Sequence, residues 1–122
     1  MLKEDIKIKV LDYTEYPEVR YIGQDDFSGE GYYYDVIKPA FEKAVNNKCK
    51  LIVDLDDTAG YGFSFIDEAF GNLVYDFDYS KIHETLQIIS DIEPDWIDII
   101  KNDILVKWKE KKDKNFPRKE MD

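Results

Sequence analysis

Apolar and polar residues alternate at the start of the chain, where Ile6, Ile8 and Val10 stand opposite Lys7 and Lys9. This two-residue period predicts a half-buried strand at or near a sheet edge. Pro17 breaks the pattern, and "VRYIG" predicts a second short strand that stops at Gly23. From Ser28, a candidate N-cap, Tyr33, Ile37, Ala40 with Phe41, and Ala44 with Val45 recur at helical steps. Pro39 lies inside that helix and predicts a kink or a restart, and Asn46-Asn47 predicts its end. "CKLIVDL" is a nearly unbroken apolar run, which suits a central strand covered on both faces. Phe65, Ile66, Ala69, Phe70, Leu73, Val74 and Phe77 then form the stripe of a helix lying on a sheet. Ser64 and Asp67 resemble a capping box at its start, and Glu68 in the first turn favours the positive end of the helix dipole. "YSKIHE" predicts one helical turn and "TLQIIS" a strand. After Pro94, the ladder Trp96, Ile100, Ile104 and Trp108 predicts a closing helix. Together these elements predict a small layered α/β domain over residues 1–112, a mixed central sheet with helices packed on it. A basic, frayed tail is predicted over residues 113–122.

With 122 residues, 43% of them hydrophobic and 15% aromatic, the chain can bury a core of its own. No apolar run approaches the roughly 20 residues needed to span a bilayer. The opening "MLKEDIKIKV" alternates where a signal peptide would be continuously apolar, so a cytoplasmic location without membrane contact is expected. The single cysteine, Cys49, has no Cys or His neighbour with which to form a disulfide or a zinc site. The net charge of −10 is uneven, with nine Lys/Arg against 22 Asp/Glu in residues 1–100 and eight against five in residues 101–122. Such a surface repels phosphate backbones and attracts cations, which disfavours direct nucleic-acid binding.

The segment Asp54-Leu55-Asp56-Asp57-Thr58 follows an apolar strand and resembles the motif of phosphatases of the haloacid dehalogenase type. That likeness implies Asp54 as nucleophile, Asp56 as acid/base and magnesium held between them. Ser90 and Lys101 could fill two further roles, but no later strand supplies the paired acids, and Asp25-Asp26 come in the wrong chain order. The motif is therefore incomplete. The expectation is a chain without catalytic residues, cofactor or metal, in which Asp54, Asp56 and Asp57 are solvated carboxylates ending a buried strand.

"RYIGQDDFSGEGYYYDVIKPAFEKA" and "LIVDLDDTAGYGFSFIDEAFGNLV" together resemble a bacterial and phage family described as STAS-like. This family is related in shape to the sulfate-transporter and anti-sigma-factor-antagonist domain. The order and spacing agree over residues 20–74. The resemblance implies an α/β layer fold and docking on a protein partner such as an ATP-binding kinase-like protein. In the antagonists a serine at the start of the helix after the central strand is phosphorylated, and the corresponding turn here holds Ser64, Asp67 and Glu68. Alignment places acids at the switch positions, with Ser64 a few residues earlier, where it serves as a cap and a candidate phosphorylation site.

The expected function is that of a non-enzymatic regulatory or protein-interaction module, its oligomeric state open. Its predicted contact surface is the acidic loop and helix start, with Asp56, Asp57, Ser64, Asp67 and Glu68 as polar contacts and Tyr61 and Phe63 as exposed anchors. Ser28, Gly29 and Glu30 would join it, as partner contacts or an anion pocket, if the two helix starts lie side by side. Two alternatives stay open: the magnesium phosphatase, and an acidic, phage-borne inhibitor that mimics nucleic acid. The latter requires the carboxylates to form a continuous stripe and not a collar at the strand ends.

Overall fold

The alternating start and the two later apolar runs become strands β1 (Ile6–Lys9), β2 (Leu51–Asp54) and β3 (Leu86–Ile89) of the computed structural model, which describes residues 4–118. They form one sheet in the order β1-β2-β3, with Lys9 level with Asp54 and Asp54 level with Ile89. Both pairings are parallel, so the sheet is not mixed. Each connection carries helices, as a parallel crossover requires. The predicted "VRYIG" strand does not join the sheet. Val19 and Ile22 make only isolated bridges, to Ser28 and Asp25, and the Val19 and Arg20 carbonyls accept from the Gly29 and Glu30 amides at 2.9 Å. The segment closes the start of a helix because its backbone has orphan amides beside it to satisfy.

That helix begins with α1 (Gly29–Tyr32), widens into a π-helical turn at Tyr33–Ile37, and continues as α2 (Lys38–Asn47). The wide turn lies just before Pro39, which lacks an N–H and crowds the preceding turn, and so marks the predicted restart. Lys48 adopts a left-handed conformation (φ 56°) and ends the helix. After β2 come α3 (Phe63–Gly71), α4 (Leu73–Asp76) and α5 (Tyr79–Thr85). The closing helix is α6 (Asp95–Asp98), a second π-helical stretch at Ile99–Ile104, and α7 (Leu105–Asp113).

Tyr32, Phe41, Phe65, Phe70 and Trp108 are fully buried in the core. Leu51, Val53, Leu86 and Ile88 face it from the sheet, whereas Ile52 and Ile89 on the other face are half-buried and Lys7 and Gln87 are exposed. Two right-handed crossovers in the same direction put their helices on one side, so β2 is fully covered on one face only. Two glycines permit the tightest contacts. A Cβ on Gly29 would strike the Phe65 carbonyl, and one on Gly71 would strike the Trp108 ring.

The tail is attached where it is described. The Tyr75 hydroxyl donates to the Phe116 carbonyl at 2.6 Å, and Arg118 reaches Asp76, so residues 114–118 lie back against α4. The remaining predicted tail residues 119–122, like residues 1–3, lie outside the described residues. Among the described residues no helix is long and apolar enough to cross a membrane.

Candidate protein-interaction site

The loop after β2 is built by its own aspartates. Asp54 Oδ1 accepts from the Asp56 amide at 2.9 Å, a turn closed by a short side chain, and Lys7 Nζ lies 3.7 Å from Asp54 Oδ2. Asp56 accepts from the amides of Asp91 and Ile92, each at 3.0 Å, and thereby ties down the loop after β3. The Tyr61 hydroxyl donates to the Leu55 carbonyl at 2.6 Å, and its ring meets Trp96 edge-on at 5.9 Å. Burial pushes the Tyr61 phenol well above its ordinary range, against a hydrogen bond with Thr58 that lowers it. The loop after β1 joins in through its backbone, where the Glu15 carbonyl accepts from the Ala59 amide at 2.8 Å and the Pro17 carbonyl from the Gly62 amide at 2.9 Å.

The loops that leave the three strands are thus bonded into one platform at the C-terminal end of the sheet. Of the predicted contacts in this loop, Asp57 and Phe63 are exposed, Phe63 at 48%. Asp56 and Tyr61 are half-buried and help to build the platform, so Tyr61 is not the exposed anchor that was expected. Two apolar residues absent from the predicted surface, Tyr16 (63% exposed) and Ile92 (65%), lie on the joined loops.

The start of α3 departs further from expectation. The helix begins at Phe63 behind Gly62, whose carbonyl accepts from the Phe65 amide at 3.1 Å, and no side chain caps it. Ser64 is a half-buried residue of the first turn, neither N-cap nor part of a capping box. Asp67 and Glu68 are 7% and 6% exposed and point inward. Arg20 Nη1 lies 2.7 Å from Asp67 Oδ2 and 3.3 Å from Glu68 Oε1. Trp108 Nε1 donates to Asp67 Oδ1 at 3.0 Å, and Asn72 Nδ2 donates to Glu68 Oε2 at 2.6 Å. Their predicted role as partner contacts is corrected: they are internal counter-charges joining the post-β1 loop, α3 and α7. Burial holds the Glu68 carboxyl above its ordinary range despite Asn72 and Arg20, while Arg20 is raised because its two carboxylates outweigh its own desolvation.

The two helix starts do lie side by side, since Gly29 abuts the Phe65 carbonyl. They form no anion pocket. Ser28 is buried, and its Oγ accepts from the Gly31 amide at 2.9 Å. The Gly29 and Glu30 amides are taken by Val19 and Arg20, and Glu30 Oε1 accepts from the Ile22 amide at 3.0 Å. The predicted anion or partner contact at Ser28, Gly29 and Glu30 is therefore corrected to a joint between loop and helix. Among the described residues no three His, Cys, Asp or Glu side chains are grouped to hold a metal ion, and Asp54 and Asp56 are engaged by the amides of their own loops.

Sequence reading missed Asn72, Trp108 and Arg118 as polar partners, and Arg20 as the centre of a cluster. One signal was available. Only two of the 17 basic residues are arginine, and each bridges two acceptors in partly buried surroundings, Arg20 between Asp67 and Glu68 and Arg118 between Asp76 and Asn72, the role in which arginine surpasses lysine.

A parallel sheet with helices crossing on one side and a bonded loop platform at its strand ends makes this a small α/β domain, an arrangement consistent with the STAS-like class. Residues 33–96, from the π-helical turn to Trp96, match the family described as a STAS-like domain of unknown function, and the chain belongs to that family. Neither a curated protein nor a solved structure matches the chain.

Proposed function

We propose that the domain is a non-enzymatic regulatory module that acts by protein–protein contact, docking through the loop platform on a basic surface of a partner such as an ATP-binding kinase-like protein. One observation carries this reading: three loops are cross-bonded into a firm surface that leaves Tyr16, Phe63 and Ile92 exposed beside Asp57, Asp91 and Glu93. In α/β sheets the strand C-termini are the usual binding end. Aromatic anchors on a preorganised surface contribute affinity, while rim carboxylates contribute association rate and selectivity. Acids gathered on strand-end loops, with others drawn inward to Arg20, favour a docking collar over a nucleic-acid-like stripe. Ser64, beside Phe63 on the first turn of α3, is the hydroxyl in this surface that such a partner would phosphorylate.

The test is a pull-down from the native host with wild type and with Asp57→Lys combined with Phe63→Ala, both first shown to be folded by circular dichroism. These two side chains are exposed, so their loss leaves the fold intact, unlike changes at Asp56 or Glu68. Wild type should retain one defined protein in a salt-sensitive manner, and the variant should not. Equal retention by both, or retention of nothing, contradicts the reading.

A further inference from the structure

Beside the platform, the protein holds a second constellation with its own ligand chemistry. Arg118 sits among three tyrosines, its guanidinium carbon 5.8 Å from the Tyr33 ring centre, 5.5 Å from Tyr34 and 5.3 Å from Tyr75. Asp76 closes the site, with its oxygens 2.7 Å and 3.1 Å from the two terminal nitrogens, and Asn72 Oδ1 accepts from Nε at 2.8 Å. The receptor half is prepared by the fold. Tyr33 is fully buried and donates its hydroxyl to Asp76 Oδ2 at 2.5 Å, while Asn72 is fixed from behind by Glu68. The π-helical turn at Tyr33–Ile37 lets two successive tyrosines both face the guanidinium. Such a carboxylate floor with aromatic walls is the arrangement that recognises a planar cation by a forked hydrogen bond and by ring electrostatics together.

The occupant, by contrast, comes from outside the regular helices. Arg118 lies five residues past the end of α7, its side chain is 29% exposed, and the described residues just before it are exposed. Lys38 Nζ also approaches Asp76 Oδ2, at 3.8 Å, and lies 5.8 Å from the Tyr34 ring, but it makes no hydrogen bond to the carboxylate. A neighbouring ammonium is thus present without displacing the guanidinium.

We propose that Tyr33, Tyr34, Tyr75, Asn72 and Asp76 form a receptor for an arginine side chain of a partner protein, and that Arg118 fills it in cis as a built-in competitor. The excess of acid in residues 1–100 favours a basic segment as the visitor. This site stands apart from the loop platform and does not depend on it.

The experiment is an NMR titration of the full chain with the acetylated, amidated tetrapeptide Ala-Pro-Arg-Ala, following the ring signals of Tyr33, Tyr34 and Tyr75. Arg118→Ala should bind the peptide about fivefold more tightly than wild type, since a competitor held by a modest free energy has been removed. Tyr34→Ala in the Arg118→Ala background should abolish the gain, and because Tyr34 is partly exposed that change leaves the fold intact. The lysine counterpart of the peptide should bind more weakly. Equal affinity of wild type and Arg118→Ala, the absence of saturable shifts at the three tyrosines, or equal binding of the lysine peptide overturns the proposal. Binding restricted to a peptide copying residues 115–118 of this chain likewise overturns it, in favour of exchange between two copies.

Discussion

Two arginines hold carboxylates in this protein, and they do so under different conditions. Arg20 joins Asp67 and Glu68 where all three side chains are no more than 10% exposed, with Trp108 and Asn72 satisfying further oxygens. Arg118 pairs with Asp76 at the surface, with its own side chain 29% exposed and the carboxylate 19%. In the first case burial raises the Glu68 carboxyl. In the second, burial would raise Asp76, but Arg118 and the Tyr33 hydroxyl outweigh it and hold the carboxyl below its ordinary range. The contrast separates an ion cluster closed off from water from one that water can reach. A buried pair is costly to break because the remaining charge has no water, while an exposed pair is replaced by solvent.

The comparison can be broken most forcefully at Arg20. Arg20→Met leaves two buried carboxylates without their counter-charge and should cost about 3–5 kcal/mol, read from urea denaturation. A loss below about 1 kcal/mol would mean that the cluster is solvated. Trp108→Phe keeps most of the ring against Gly71 but leaves Asp67 Oδ1 without its donor, an expected loss of about 1–3 kcal/mol in the same assay. At the other cluster, Arg118→Ala should cost about 1 kcal/mol, the worth of a partly exposed ion pair with aromatic neighbours. Asp57→Gly should change stability by less than about 0.5 kcal/mol, because the left-handed backbone at Asp57 (φ 75°) suits glycine, and should still weaken partner retention.

Much of this architecture was legible because it rests on periodicity. The alternation at Ile6–Lys9 and the run at Leu51–Asp54 each became the expected strand, and the stripe from Phe65 to Phe77 became two helices, α3 and α4, parted at Asn72. The Pro39 restart was legible too, since a missing N–H acts locally. "VRYIG" misled because β-branched residues suit a strand, and only the three-dimensional neighbourhood reveals that the Val19 and Arg20 carbonyls have helix amides to accept. The covered-face expectation for β2 failed on Ile52, for an apolar run does not record that both crossovers lie on one side.

The candidate site was read less well, for a physical reason. Acids at a helix start serve equally to complement the dipole, to meet a partner or to neutralise a buried arginine, and sequence does not distinguish these. Asp67 and Glu68 follow Phe65 and Ile66 in the same turn, so the inward orientation of that turn was decided by Arg20 and Trp108, 47 and 41 residues away. Asp57 and Phe63 were placed correctly on the exterior because nothing distant claims them.

The inward placement of the α3 carboxylates is tested most directly by carbon-detected NMR titration of the Glu68 and Asp76 carboxyl groups in one sample. Glu68 should titrate above its ordinary value of 4.5 and Asp76 below its ordinary 3.8. The signs carry over to stability. A raised carboxyl binds more protons folded than unfolded, so the Glu68 contribution is fully present below pH 4.5 and is lost as pH rises through its folded value. The Asp76 contribution is present above pH 3.8 and is lost as pH falls through its depressed value. Opposite displacements of the two groups are the predicted result. A Glu68 carboxyl that titrates at or below 4.5 would contradict the account, for it would place that side chain in water and return it to the docking surface.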